Sequence, residues 1–173
     1  MRDVLVHQWP DDGKAVSALF AFDESDSTVT DPGDPVDVAD ARRSGAVMSA
    51  VAHAMSADSS WKLLSNIPRA TDGGESIGQV NADLVRTVSH SMSPYIPHLA
   101  GANPENLPGG FDTSGWADPK DNNSFRGSAN VFAALNTDEE AGRHFLGRAY
   151  AETAAAETRY GQDPPTRPER PEI

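Results

Sequence analysis

IGQVNADLVRTVSHSMSPYIPHLAG, residues 77–101, is the stretch that decides the fold. Ile77, Val80, Leu84, Val88, Met92, Tyr95, Ile96 and Leu99 recur at helical steps, which puts an apolar stripe on one face over about six turns. Pro94 and Pro97 fall inside the run. Each lacks an amide donor and crowds the preceding turn, so a kink or break is expected near Ser91 to Ser93, with a shorter segment reaching Ala100. Gly101 then supplies a left-handed stop.

Upstream, Trp9-Pro10 turns the chain, because the residue before a proline is held out of helical space. Asp11 and Asp12 are placed to accept hydrogen bonds from helix-start amides, and a first helix is expected from about Asp12 to Asp23 with Val16, Leu19 and Phe20 inward. Val4-Leu5-Val6 reads as the last turn of an element that starts further upstream, so the chain is expected to be the C-terminal part of a larger protein. Asp23 to Pro35 is acidic, broken by Pro and Gly, and reads as a solvated loop ending in an Asp37 cap. A second helix is expected from about Val36 to Ala57, with Val47, Val51, Ala54 and Met55 on one face, Arg42 and Arg43 on another, and Gly45 weakening it. Trp61-Lys62-Leu63-Leu64 forms a short apolar island of a turn or two that lids the core, before Pro68 and the Asp72-Gly73-Gly74 break.

Downstream, Ala102 to Asn123 reads as a long ordered loop pinned by Leu107, Phe111 and Trp116. Helix four is expected at about Ser124 to Leu135, burying Phe125, Ala129, Phe132 and Leu135. Thr137-Asp138-Glu139-Glu140 has the form of a capping box and opens helix five, with Ala141, Phe145, Ala149, Ala156 and Tyr160 as its inner face. Pro164-Pro165-Thr166-Arg167-Pro168-Glu169-Arg170-Pro171 favours an extended, hydrated tail. No alternating strand pattern of useful length is present. The expected class is therefore all-α: a single compact bundle of about five helices over residues 1–160, with a long aromatic-anchored loop and a Pro-rich tail over 161–173.

Composition narrows the functions. The 173 residues are 38% hydrophobic, enough for one domain with a real core. A formal net charge of -12 repels phosphate backbones and anionic headgroups, so nucleic acid is not an expected partner. No window reaches the roughly 18 apolar residues of a membrane-spanning helix, and residues 1–7 lack the apolar core of a signal peptide. With no cysteine, thiol nucleophiles, disulfides and Cys-ligated zinc are excluded.

Chemical motifs are weak. Gly74-Glu75-Ser76-Ile77-Gly78 matches the G-x-S-x-G nucleophile elbow, but residues 69–73 are not the buried strand that such an elbow needs, and Ser76 reads as a helix cap. Ser59-Ser60-Trp61-Lys62 matches S-x-x-K without its companion blocks. His7, His53, His90, His98 and His144 lack metal-ligand spacing, and no HExxH motif or phosphate-binding glycine loop is present. Asp31, Asp34, Asp37 and Asp40 recur every third residue, yet Pro32 and Pro35 interrupt any calcium loop. Trp9, Trp61 and Trp116 read as anchors rather than as pocket walls. No catalytic, cofactor-binding or metal-binding residue is assigned, and no cofactor is expected.

Three blocks carry a family resemblance. His7-Gln8-Trp9 with Asp11-Asp12-Gly13-Lys14-Ala15 comes first, then Asn81 to Val88 running to Ser93-Pro94-Tyr95-Ile96-Pro97-His98-Leu99-Ala100-Gly101. The third is Val131-Phe132-Ala133-Ala134-Leu135-Asn136-Thr137-Asp138 with Ala141-Gly142. In this order they resemble a helical domain of mycobacterial and related actinobacterial proteins labelled as a TPR-repeat region, similar in style to type VII secretion substrates. The resemblance implies a noncatalytic helical module of an exported or envelope-associated protein, binding protein partners or its own missing N-terminal domain. The chain has no 34-residue TPR period, no Trp-x-Gly turn and no Tyr followed four residues later by an acid, so export by a type VII route does not follow from these residues and any such signal is expected in a missing part. Two other readings stay open: a serine-hydrolase-like enzyme using Ser76 with a His or carboxylate partner, and a toxin- or secretion-associated protein whose acidic surface masks a basic partner.

Overall fold

The computed structural model describes residues 1–68, 74–102, 110–113 and 125–162. They form an all-α fold of nine α-helices, several of them a single turn, where about five were expected: α1 (Arg2–Val6), α2 (Lys14–Ser17), α3 (Pro35–Ser56), α4 (Asp58–Leu64), α5 (Ile77–Val80), α6 (Ala82–Met92), α7 (Ile96–Leu99), α8 (Arg126–Leu135) and α9 (Glu139–Gln162). The only strands among the described residues are the two-residue pieces β1 (Ile67–Pro68) and β2 (Gly74–Glu75), paired antiparallel. Expected anchors Leu107 and Trp116 and the tail beyond Gln162 lie outside the described residues.

The deciding stripe is core throughout. Ile77, Val80, Leu84, Val88, Met92, Tyr95, Ile96 and Leu99 are all buried, and they join α3, α8 and α9 in one apolar cluster. The break at the prolines falls where expected: α6 stops at Met92, Ser93–Tyr95 form a 3-10 turn, and α7 follows, closed by Gly101 at φ 81°. A second break, at Asn81, was not expected. Asn81 is fully buried; its side chain accepts from the Trp9 amide at 3.3 Å and donates to the carbonyls of Leu5 at 3.0 Å and His7 at 2.8 Å. The side chain therefore serves a distant segment, which turns the stripe at this point into two helices.

That segment is tighter than the expected helix from Asp12 to Asp23. Asp12 (φ 56°) and Gly13 (φ 82°) are left-handed, and α2 holds only four residues. The Asp12 carbonyl accepts from the amides of Asp83 at 3.1 Å and Leu84 at 3.4 Å, so the turn satisfies the open amides at the start of α6. A Cβ on Gly13 would sit 2.7 Å from that of Leu84, so the close approach requires glycine. Asp11 accepts from Ala15, as a cap should, and Trp9 is anchored through its indole N–H on the Val4 carbonyl. Val16 and Phe20 are buried, whereas Leu19, beyond the short helix, is 69% exposed.

Further differences have local causes. Asp34, not Asp37, caps α3 by accepting from the Val36 amide, and Asp37 instead gathers the Thr30 hydroxyl and the Thr30 and Asp31 amides. The acidic loop is not wholly solvated: Ser27 is buried against Ser44, whose hydroxyl also accepts from Tyr95 at 3.0 Å. On α3, Gly45 lets the backbone at Gly110 and Phe111 approach within 3.0–3.3 Å of where a Cβ would stand, and Phe111 stacks on Tyr95 with ring centres 4.7 Å apart. The cap of α9 is Asp138 rather than Thr137: Asp138 accepts from the Ala141 amide, while Thr137 accepts from Gly78 and donates to Ala134. On α8 the buried residues are Gly127, Ser128, Val131, Ala134 and Leu135. Phe125 is 56% exposed, Ala129 is exposed and Phe132 half-buried, so the expected face is rotated.

Candidate interaction groove

Helix lengths create an open apolar feature. At 1.5 Å per residue the 24-residue α9 extends about 36 Å, against about 16 Å for α6 and α8 with 11 and 10 residues. Ala141 and Phe145 are buried and Ala149 is half-buried, but from Tyr150 to Gln162 every residue except half-buried Glu152 is exposed. The outer half of α9 therefore overhangs the bundle.

Between the overhang and the body lies a groove of about 490 Å³. Its floor and far wall come from Ile96, Pro97 and Leu99 of α7 and from Phe125, Ala129 and Phe132 at α8. Its near wall is the α9 face carrying Ala149, Thr153 and Ala156, with Glu152 and Arg159 as its charged members. The walls are held from behind. Ser128 donates to the Leu99 carbonyl at 2.6 Å and ties α8 to α7, while Asn130 donates to the Ser56 carbonyl and to Asp58, and Arg126 pairs with Asp58. At the root of α9, Arg86 makes two 3.0 Å hydrogen bonds to Asp138, which is 8% exposed. Burial works against the Asp138 charge, but the Arg86 hydrogen bonds, the Ala141 amide and the nearby guanidinium prevail and hold its carboxyl below the usual range.

One ionisable cluster also lies where α9 meets α6. The rings of His90 and His144 are 3.7 Å apart, and Arg148, one turn on from His144, reaches Glu24 at 3.1 Å and Glu152 at 3.8 Å. His144 Nε2 and Arg148 Nε are buried without a hydrogen-bond partner. Desolvation, then the charges of His90 and Arg148, hold the His144 imidazole below its ordinary value. This pair was invisible as spacing because it joins two helices distant in sequence. The other histidines are dispersed: His7 packs on Trp9, His53 bonds the Asp112 carbonyl at 2.9 Å, and His98 packs edge-on to Tyr95 and Phe111.

Ser76, the hydrolase candidate, stands at the start of α5 in a capping box with Gln79, whose side-chain oxygen accepts from the Ser76 amide at 2.8 Å and hydroxyl at 2.9 Å. The hydroxyl faces a glutamine, with no imidazole in its bonds. Ser59 and Lys62, the paired residues of the S-x-x-K match, both lie exposed on α4, and the buried serine there is Ser60. Asp31, Asp34 and Asp37 accept from nearby backbone amides, and Asp40 pairs with Arg43. Among the described residues no three His, Asp or Glu side chains form a metal-binding group. No helix among them is long and apolar enough to cross a membrane. Comparison with protein-family models, with curated proteins and with solved structures finds no match.

Proposed function

We propose that the chain is a noncatalytic helical interaction module, of the exported or envelope-associated actinobacterial kind that the three sequence blocks imply, and that it binds protein through the groove between α7, α8 and α9. The observation that carries the reading is the uncovered apolar wall. Phe125 is 56% exposed beside Ala129 and half-buried Phe132, facing a helix half that has no tertiary cover among the described residues. Concave apolar surface of this kind is where a helical domain gains by covering itself with another chain. The Gln79-bonded hydroxyl of Ser76 supports the noncatalytic part.

A photo-crosslinking residue at Ala129, compared with one at Ala154 on the opposite face of α9, tests the proposal. A protein joined at Ala129 and not at Ala154, whose binding to the purified chain is lost on Ala129→Glu and retained on Ala154→Glu, is the expected result. Equal crosslinking at both positions, or binding indifferent to Ala129→Glu, overturns it.

A further inference from the structure

We infer that the groove is filled by a second copy of this chain, the overhanging halves of two α9 helices packing antiparallel. This rests on the interaction reading above and names its partner. The argument is one of charge and symmetry. Glu152 and Arg159 both line the groove from α9, and their seven-residue spacing, two helical turns, puts them on one face. Midway between them lie Ala155 and Ala156. When two copies of α9 run antiparallel about a two-fold axis at that midpoint, Glu152 of each faces Arg159 of the other, and the two alanines at the crossing allow close approach.

The charges are available for this. Arg159 makes no ion pair among the described residues, its Nε donating to the Ala155 carbonyl of its own helix at 3.3 Å. Glu152 has Arg148 only at 3.8 Å. A lone helical stretch the length of the overhang is marginal in water. An antiparallel partner covers it, and by symmetry both grooves are filled in a closed pair with no surface left to propagate. A basic partner is the competing occupant for a chain of net charge -12, but it does not use the alternation of Glu152 and Arg159 on one face.

Sedimentation of the full chain over a concentration series tests this, with Glu152→Arg and Arg159→Glu examined singly and mixed. The wild type is expected to dimerise, and each single reversal, which sets like charges opposite one another twice, to weaken the dimer about tenfold or more. Mixing the two variants restores association as a heterodimer, because each arginine then meets a glutamate; this also shows that both variants are folded. Ala156→Trp is expected to abolish the dimer, and Ala154→Glu to leave it intact. A wild type that stays monomeric, or a dimer indifferent to both reversals, overturns the second copy as occupant. A different protein crosslinked at Ala129 would then leave the interaction reading standing without it, so the two failures are separable.

Discussion

Asn81→Ala isolates the contact that ties the start of the chain to the central helices. The side chain is fully buried and makes three hydrogen bonds, to the Trp9 amide and the Leu5 and His7 carbonyls. Each such bond contributes about 1 kcal/mol net, and a buried partner left unpaired costs about 1–3 kcal/mol. The Leu5 carbonyl lies in a buried environment and the other two groups are partly buried, so the total is about 3–5 kcal/mol. Against a typical total stability of about 5–15 kcal/mol this is a large fraction. Urea unfolding at neutral pH, followed by far-ultraviolet circular dichroism, should show a lower midpoint with an unchanged slope, the mark of a stability change without a change in exposed surface. Asn81→Asp sharpens the test. Its ionised carboxylate keeps the Trp9 bond but sets an oxygen against two carbonyls, so at neutral pH it should destabilise at least as much as alanine and recover partly in acid, where a protonated carboxyl donates again. A loss below about 1 kcal/mol for Asn81→Ala would refute the idea that this side chain causes the helix break.

Two glycines should respond in opposite directions. A Cβ at Gly78 would meet the Thr137 carbonyl carbon at 2.4 Å and the Asp138 amide at 2.5 Å, both backbone, so Gly78→Ala should lower the thermal midpoint with a cost of about 1–3 kcal/mol. At Gly147, on α9, nothing lies within 4 Å, and Gly147→Ala should raise it by about 0.5–1 kcal/mol. Burial of His144, with the charges of His90 and Arg148 beside it, sets a pH dependence. Because the folded pKa of His144 is depressed, its neutral form is favoured by the fold; stability is full above the ordinary imidazole value of 6.5 and declines as pH falls from there towards the folded value, where the unfolded chain takes up protons first. His144→Leu should flatten the urea midpoint against pH in that window, and an unchanged slope would remove His144 as its source.

What was legible in the chain was set by near neighbours. The stripe from Ile77 to Leu99, its break at the prolines and the stop at Gly101 follow from side-chain period and backbone chemistry alone, and each is found in place. What was not legible depends on residues far apart. The break at Asn81 needs the carbonyls of Leu5 and His7; the shortness of α2 needs the amides of Asp83 and Leu84 as partners for Asp12; the histidine pair needs α9 laid against α6. The cap of α9 was misplaced by one residue because Thr137 and Asp138 are both good caps, and Thr137 is occupied by Gly78.

The mismatch on α8 and α9 has a different character. Phe125, Ala129, Phe132, Ala149, Ala156 and Tyr160 read as core from their helical spacing; the first five line the groove, Phe132 and Ala149 also packing against the core, and Tyr160 is exposed outside it. Helical period reports which residues of a helix share an apolar face, not what covers that face. On α6 the cover is the rest of this chain; at the outer half of α9 and the adjoining edge of α8 none of the described residues supplies it. An apolar face of that period on a helix reaching past its own bundle is what a shared helical interface leaves behind in one copy, and the placement of Glu152 and Arg159 on either side of Ala155 and Ala156 gives that face the self-complementary charges that a two-fold pair requires. The groove and the overhang are thus one feature, each copy supplying the helix that the other lacks.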